Sequence, residues 1–226
     1  MFRKILATLG LASASVATGA PSYSPYPLDA SNAIYNLLFC DDVPRFIAKP
    51  GETPTPWQAA LASSPPDVKT LQTMAADRSQ EGRIRYLAYQ RLRQSGHPVP
   101  AKQLLGVIVE VPLDGGLDTL AAYSEGGVRY INQSGKMVVA EGETSFLPLV
   151  EALLAASQPV VDNIGPWKEA RRAPPTRGNI RLTFLVSDGL YFGEGSSNVM
   201  QRDQLAAPVI RKATELLQAV VAKGTK

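Results

Sequence analysis

The 226-residue chain contains one cysteine, Cys40, and one histidine, His97. A single cysteine excludes an intrachain disulfide, and neither a Cys/His zinc site nor a two-histidine metal site can be assembled. A catalytic site with a histidine base would have to use His97, which stands in the loop GHPVP. Asp41 and Asp42 directly follow Cys40, and their negative charge should raise its pKa and suppress the thiolate. We therefore interpret Cys40 as a buried structural residue, and we predict no metal and no cofactor.

Motifs for binding phosphate or for a serine nucleophile are also absent from the sequence. Gly135-Lys136 resembles the end of a P-loop, but Met137 replaces the required Ser or Thr and a strand follows instead of a helix. The segment GEGSSN has Asn198 where a dinucleotide-binding fingerprint needs its third glycine. No G-x-S-x-G elbow occurs. Paired carboxylates, with Asp41/Asp42 and Asp114/Asp118 as the closest groupings, leave a carboxylate-based hydrolase open as an alternative.

Charge of one sign does not dominate, because the formal net charge is only +3. This balance gives no reason to expect a polyanion partner for the whole molecule. Arginines nevertheless concentrate in one predicted helix and one proline-rich loop, where they predict a basic surface. These residues are Arg83, Arg85, Arg91, Arg93, Arg171, Arg172 and Arg177. Tyr86 and Tyr89 interleave with the helical set, yet no RRM, KH or helix-turn-helix signature accompanies them, so a nucleic-acid-associated protein is a second alternative.

The N-terminus has the outline of a secretory signal peptide over residues 1–20, with Arg3 and Lys4 before a short apolar run. The run is too short for a membrane span, so we predict no transmembrane span in the mature chain. Residues 21–33 are broken by prolines and predict a linker. Export would place the protein in the periplasm or outside the cell. The alternative is a cytoplasmic protein with a disordered N-terminal extension.

Residues 34–98 predict a mainly helical region. Thr55-Pro56 has the N-cap and first-turn proline of a helix start, and Ser64-Pro65-Pro66 opens a second helix. A third helix, capped by Ser79, runs to Gln94, and Gly96 marks its end. The segment 34–46 is apolar, and its periodicity does not decide between a strand and a short helix.

Residues 99–226 predict a sheet region that forms one domain with 34–98. LLGVIVEV is a continuous apolar run typical of a central strand. AAYSEGGVRY and FLVSDGLYF share a hairpin layout, and an amphipathic helix follows each of them. The fold class is therefore α+β: an antiparallel sheet built from two β-hairpin-plus-helix units, with an N-terminal helical appendage. This order of elements resembles the small regulatory folds of the profilin and longin kind, a likeness that implies no particular function.

The hairpin around residues 117–136 carries the most polar surface of the predicted sheet. Its candidate ligand-binding residues are Arg129, Tyr130, Asn132, Ser134 and Lys136. Since side chains alternate along a strand, Arg129 should face away from Tyr130 and Asn132, so the five share one surface only if the turn rotates the chain. The sequence thus predicts a non-catalytic binding or regulatory module that recognises a protein or a small polar ligand.

Overall fold

A six-stranded antiparallel sheet is the central element of the computed structural model, which describes residues 20–142 and 144–224. The strand order is β4-β3-β2-β1-β5-β6, so the apolar run LLGVIVEV lies in a central strand, as expected. The α+β class predicted from the sequence is confirmed. The strands are β1 (Leu104–Leu113), β2 (Gly116–Tyr123), β3 (Val128–Ile131), β4 (Met137–Ala140), β5 (Asn179–Val186) and β6 (Gly189–Ser196).

Tight turns connect the neighbouring strands of the sheet. β1 to β4 form a meander, and β5 and β6 form a separate hairpin that pairs with β1 through β5. Val186 pairs with Gly189, so Ser187 and Asp188 are the two turn residues, one position earlier than the Asp-Gly signal suggests. The long connection from β4 to β5 contains a helix and the loop of residues 164–178.

Four helices from the N-terminal region cover one face of the sheet. Residues of these helices form one apolar core with Ile108, Ala121 and Leu185 of the strands. Thr55 makes the predicted cap, because its side chain accepts from the backbone N–H of Gln58 in a full capping box. The helices are α1 (Asp29–Leu38), α2 (Pro56–Ala62), α3 (Val68–Ala76) and α4 (Gly82–Gln94), with a 3₁₀ turn over Val43–Phe46.

The other face is covered by α5 (Leu147–Asn163) and α7 (Ala206–Gly224), which also contact each other. A 3₁₀ turn (Thr144–Phe146) precedes α5, and a short helix α6 (Ser197–Met200) follows β6. The segment Thr144–Asn163 is long and apolar enough to cross a membrane by composition alone, but its residues Val150, Leu153 and Val161 are buried in this second core. Those contacts are typical of a core helix. The molecule therefore has three layers, with the sheet between two layers of helices.

One predicted cap differs from the structure, and one segment that the sequence left open is now assigned. α4 begins at Gly82 after Glu81, whereas Ser79 bonds to the side chain of Asp77 and caps no helix. The segment 34–46, left open between strand and helix, forms the end of α1 up to Leu38 and, after a short break, the 3₁₀ turn Val43–Phe46.

Residues 20–28, which we call the N-terminal strap, are bound to the body of the protein. Tyr26 is buried, and its hydroxyl donates to Thr119 Oγ1 of β2 at 2.7 Å. Asn32 and Asn36 of α1 exchange hydrogen bonds with the backbone of Tyr26 and Tyr23. The segment 21–33, expected as a linker, thus consists of an ordered extended segment and the first turn of α1. The predicted signal peptide lies outside the described residues, apart from Ala20.

Candidate functional site: a cleft beside the N-terminal strap

The hairpin residues predicted to bind a ligand do not form one surface. Arg129 is 7% exposed and lies on the face covered by the N-terminal helices. Its guanidinium forms an ion pair with Glu141 and stands 5.6 Å from the ring centre of Tyr123. The Tyr130 side chain lies on the opposite face of the sheet. Its hydroxyl donates a hydrogen bond to Oδ2 of Asp118 in β2 at 2.8 Å. Arg129 and Tyr130 therefore point away from each other, as strand alternation requires.

The remaining predicted residues of the hairpin form its turn. Asn132 Oδ1 accepts from the backbone N–H groups of Ser134 and Lys136 and from the Ser134 hydroxyl, at 2.8 to 3.0 Å. This is the geometry by which an Asn side chain stabilises a turn. Gly135 has a positive φ of 84°, which favours glycine at that position. Asn132 and Ser134 thus have hydrogen-bond partners within the turn, and Lys136 is exposed beside them.

The arginines of α4 are directed at partners inside the protein. Arg85 is buried, and the other three are partly buried. A hydrogen bond to a carbonyl oxygen satisfies one of the N–H donors of a guanidinium but does not neutralise its positive charge. Their partners are Glu81 for Arg83, the Ala75 carbonyl for Arg85, the Ser63 carbonyl for Arg91 and the Ser187 carbonyl for Arg93.

The three loop arginines have different environments. Arg177 is exposed and pairs with Asp114. Arg172 is also exposed, and its guanidinium stacks 4.8 Å from the ring centre of Trp167. Arg171, in contrast, is only 6% exposed. The structure therefore does not bring the seven predicted basic residues together on one open face.

A row of polar side chains crosses the sheet under α1, and no sequence pattern described above predicted it. Glu110 in β1 is fully buried and lies opposite Thr119 on one side and Arg181 on the other. Arg181 pairs with Glu194 of β6 at 2.7 Å and approaches Glu110 Oε2 at 3.7 Å. Tyr35 of α1 donates to Glu110 Oε1 at 2.7 Å. Burial raises the pKa of Glu110, against the opposing effects of the Tyr35 hydrogen bond and the Arg181 charge.

Arg171 joins the loop of residues 164–178 to the strap and α1. Its Nε donates to Asp41 Oδ2 at 2.7 Å, and its Nη2 donates to the Pro21 carbonyl and to Asn36 Oδ1, each at 3.1 Å. The guanidinium also lies 4.1 Å from the ring centre of Phe39. A cation over an aromatic face is stabilised further when it is desolvated. Arg171 thus fixes three chain segments that are distant in sequence.

A cleft with two lobes opens beside this junction, and Ala20 and Asp41 line both lobes. The smaller lobe has a volume of about 440 Å³. It is lined by apolar residues, among them Val43, Ile47 and Leu61, and by the polar residues Asp41, Asp42, Arg91 and Gln94. We call it the small lobe. The larger lobe, which we call the polar lobe, has a volume of about 580 Å³. Ligand pockets are commonly of this size, and clefts between separate chain segments are frequent places for them.

The polar lobe is formed by α4, the start of the loop 164–178 and the turn before β6. Charged residues of both signs line it, together with the Trp167 indole. Its charged residues are Asp41, Arg93, Lys168, Glu169, Arg171 and Asp188.

Hydrogen bonds hold several of these charged groups in place. Arg93 donates to the Ser187 carbonyl, and both Asp188 oxygens accept from the Tyr191 hydroxyl at 3.0 and 3.1 Å. Trp167 donates its backbone N–H to the Leu190 carbonyl at 2.7 Å. Burial raises the pKa of Asp41, although the Arg171 charge opposes this effect. The positions of the polar groups in the cleft are therefore set by the fold.

The described residues give little support for a catalytic nucleophile or for a metal site. Cys40 is fully buried, and burial raises the pKa of its thiol to about 12. His97 lies in a surface loop, where its backbone N–H donates to the Leu92 carbonyl. Within residues 20–142 and 144–224 no group of three or more His, Cys, Asp and Glu side chains could hold a metal ion.

No protein-family model matches this chain, and no curated protein matches it in sequence. The candidate site therefore rests on the geometry of the cleft. The sequence identifies Arg93 and Arg171 as candidate basic-surface residues and Asp41 as a candidate carboxylate, but no local pattern predicts that the three line one cleft. A charged residue inside a central apolar strand, Glu110, was the signal that a buried polar network lies on this face.

Proposed function

We propose that this protein is a non-catalytic binding module that recognises a small polar ligand in the cleft beside the N-terminal strap. The observation that carries the proposal is the lining of the polar lobe, where charged groups of both signs and the Trp167 indole surround a volume of about 580 Å³. A few positioned polar groups beside an apolar wall are the usual composition of a small-molecule site. The hairpin around Asn132, with its hydrogen bonds made within the turn, supports this function less well.

The two earlier alternatives have weaker support. Asp41 is paired with Arg171, and Asp188 accepts from Tyr191, arrangements that suit fixed electrostatic contacts better than proton transfer. The α4 arginines bond to groups of the protein itself, which reduces their value for contacting phosphates. A binding module remains the function that the geometry favours.

Trp167 offers a direct test, because the chain has only two tryptophans and the other, Trp57, lies in α2 outside the lining of the cleft. In the full-length W57F variant, Trp167 emission is recorded against amino acids, dicarboxylates, sugar phosphates, nucleosides and polyamines. We expect a saturable change with at least one class. The W167F variant, which keeps Trp57, is the matched control and should show no change.

Two results would contradict the proposal. The first is an emission that none of the five classes changes, and the second is a change of equal size in W167F. Each compound that binds is also followed by NMR during prolonged incubation. Binding without chemical conversion supports a binding module, whereas turnover would favour the hydrolase alternative.

A further inference from the structure

The two edges of the sheet differ in how the rest of the chain covers them. At one edge the loop of residues 164–178 lies over β6, where the Trp167 N–H donates to the Leu190 carbonyl at 2.7 Å and the Trp167 ring contacts that of Phe192. At the other edge, β4 pairs with β3 alone among the described residues. An open strand edge presents N–H and C=O groups without strand partners, and a further strand can add to the sheet there.

The hydrogen bonds of the β3–β4 hairpin identify which groups of β4 face outwards. The Asn132 N–H donates to the Lys136 carbonyl at 2.9 Å, and hydrogen-bonded pairs recur at every second position of an antiparallel ladder. In the register of β3 and β4, Val138 is therefore bonded to β3. The N–H and C=O groups of Met137 and Val139 consequently point away from β3 and form the open edge.

Exposed apolar side chains also concentrate at this edge. Met137 and Val139 are 38% and 51% exposed, and Leu28 of the strap lies against the β3–β4 turn. Val221 of α7 follows Val220, which lines a cavity of about 240 Å³ together with β4. Four of the six large apolar side chains that are exposed in the described part of the chain thus lie around β4. Such a cluster marks an interaction surface, whereas single exposed apolar residues do not.

The strand β4 is complementary to itself when two copies run antiparallel. With a two-fold axis at Val138, Met137 of one copy stands opposite Val139 of the other, and the two Val138 residues stand opposite each other. Each copy then donates two main-chain hydrogen bonds, from the Met137 and Val139 N–H groups, and accepts two. The cross-strand pairs are all apolar, and such pairs stabilise a sheet.

Charges at the two ends of β4 favour the antiparallel direction. Lys136 precedes the strand and is exposed, and Glu141 follows it with a side chain that is 49% exposed. Antiparallel pairing brings the Lys136 end of each copy beside the Glu141 end of the other, whereas parallel pairing would bring like charges together. An unrelated peptide would need a matching pattern of charges, and a second copy of this chain carries it.

We propose that the open edge of β4 is a self-association surface, at which two copies of the chain pair their β4 strands antiparallel about a two-fold axis at Val138. The two six-stranded sheets then form one continuous sheet. Only two residues of each copy supply the main-chain hydrogen bonds, so the dimer is reversible and its population rises with protein concentration. The cleft lies beside β6 at the opposite edge, and this inference is therefore independent of the proposed function.

The test is sedimentation velocity of the full-length protein over a series of concentrations. The wild type should change from the 24.2 kDa monomer to a species of twice that mass. V139P removes an N–H that does not bond to β3, a position at which an edge strand tolerates proline, and V139K places a charge at the centre of the edge. Each substitution acts twice across the two-fold axis, so each should weaken the dimer roughly 100-fold or more.

The matched control is V199K, which places the same charge at an exposed valine of α6, away from β4. It should leave the dimer unchanged. Thermal unfolding of the three variants verifies that each retains its fold, and V139K keeps the test decisive if proline destabilises the hairpin.

A cysteine cross-link tests the register. The two Val138 residues form a pair without hydrogen bonds to each other, with Cα atoms about 4.5 Å apart, a separation that a disulfide can span. The variant V138C should therefore give a covalent dimer under mild oxidation, seen by electrophoresis without reductant. V199C, with an exposed thiol elsewhere, should not, and the native Cys40 is buried.

Three results would overturn the proposal. The first is a wild type that remains monomeric at every concentration, including one that instead captures another protein at β4. The second is a dimer that folded V139P and V139K leave intact. The third is a dimer that V138C does not cross-link, which would exclude the antiparallel pairing about Val138.

Discussion

Replacing Arg171 by alanine should destabilise the protein, because Arg171 holds the loop 164–178 against the strap and α1. The Arg171 side chain is 3% exposed and the Asp41 side chain 15% exposed, so both charges are largely removed from water. R171A removes the ion pair to Asp41, two hydrogen bonds to Asn36 and Pro21, and the contact with the Phe39 ring. It also leaves the Asp41 carboxylate buried without its partner. Breaking a buried pair in this way costs about 3–5 kcal/mol, and we expect R171A to lose stability in that range.

A double-mutant cycle separates the ion pair from the other contacts. D41N also leaves a buried charge, that of Arg171, without its partner, but Arg171 keeps its bonds to Asn36 and Pro21 and its place against Phe39, so D41N should cost less than R171A, about 1–3 kcal/mol. The double variant R171A/D41N should be more stable than the sum of the single losses predicts, with a coupling energy of about 1–3 kcal/mol. The free energies of unfolding are measured by urea denaturation, and equal slopes in all four proteins establish a common two-state reference.

The neighbouring residue provides the control for this cycle. R172A removes an exposed guanidinium that stacks on Trp167, and its cost should stay near about 0.5–1 kcal/mol. A loss below about 1 kcal/mol in R171A, or a coupling energy near zero, would refute the reasoning. Either result would mean that Asp41 and Arg171 are solvated independently and that the loop 164–178 is held by other contacts.

Two further predictions concern buried titratable groups. Because burial raises the pKa of Glu110, its protonated form favours the folded state, and this contribution is present below the ordinary carboxyl pKa and lost as the pH rises through the raised value. The unfolding free energy of the wild type minus that of E110Q should therefore fall as the pH rises above the ordinary pKa of a glutamate, and a difference that is constant or rises with pH would contradict the assignment. Cys40, whose pKa burial raises to about 12, should not react with a thiol reagent at pH 8 until urea unfolds the protein. Prompt reaction of the native thiol would show that Cys40 is accessible.

Local signals in the sequence predicted the strands and most of the helices because those signals act over a few residues. The Thr55-Pro56 cap and the turn before Gly189 each depend on hydrogen bonds between residues that are close in sequence. The apolar run of β1 predicted a central strand, since burial on both faces selects continuous apolar residues. The alternation along β3 likewise predicted that Arg129 and Tyr130 face opposite sides of the sheet.

The strap and the cleft could not be predicted in the same way. PSYSPYP has the composition of a linker, and only contacts with residues far along the chain make it an ordered segment. Tyr23 donates to the Arg171 carbonyl, and Tyr26 donates to Thr119. Nothing in the local sequence of a tyrosine indicates which distant acceptor its hydroxyl will reach. The sequence shows a cluster of arginines in the loop 164–178. Arg171 is buried against aromatic rings, whereas its neighbour Arg172 is exposed. This difference depends on the tertiary structure and has no signal in the local sequence.

The loop of residues 164–178 is long for a connection inside a small domain, and such loops are often functional. Here directional polar contacts fix it: Arg171 binds Asp41, and the carbonyl oxygens of Arg172 and Ala173 accept from Arg181. Apolar contacts would tolerate sliding, whereas hydrogen bonds of fixed geometry define the position of the backbone to within a few tenths of an ångström. Trp167 and Lys168 therefore line the polar lobe from a loop whose backbone is held by hydrogen bonds within the protein itself. Since ordering a loop on binding costs affinity, a preorganised wall allows a small ligand with few atoms to bind with useful strength. The buried network under α1 and the open cleft beside it are thus connected through Arg181 and the loop 164–178, so charges held inside the protein fix the backbone of one wall of the cleft.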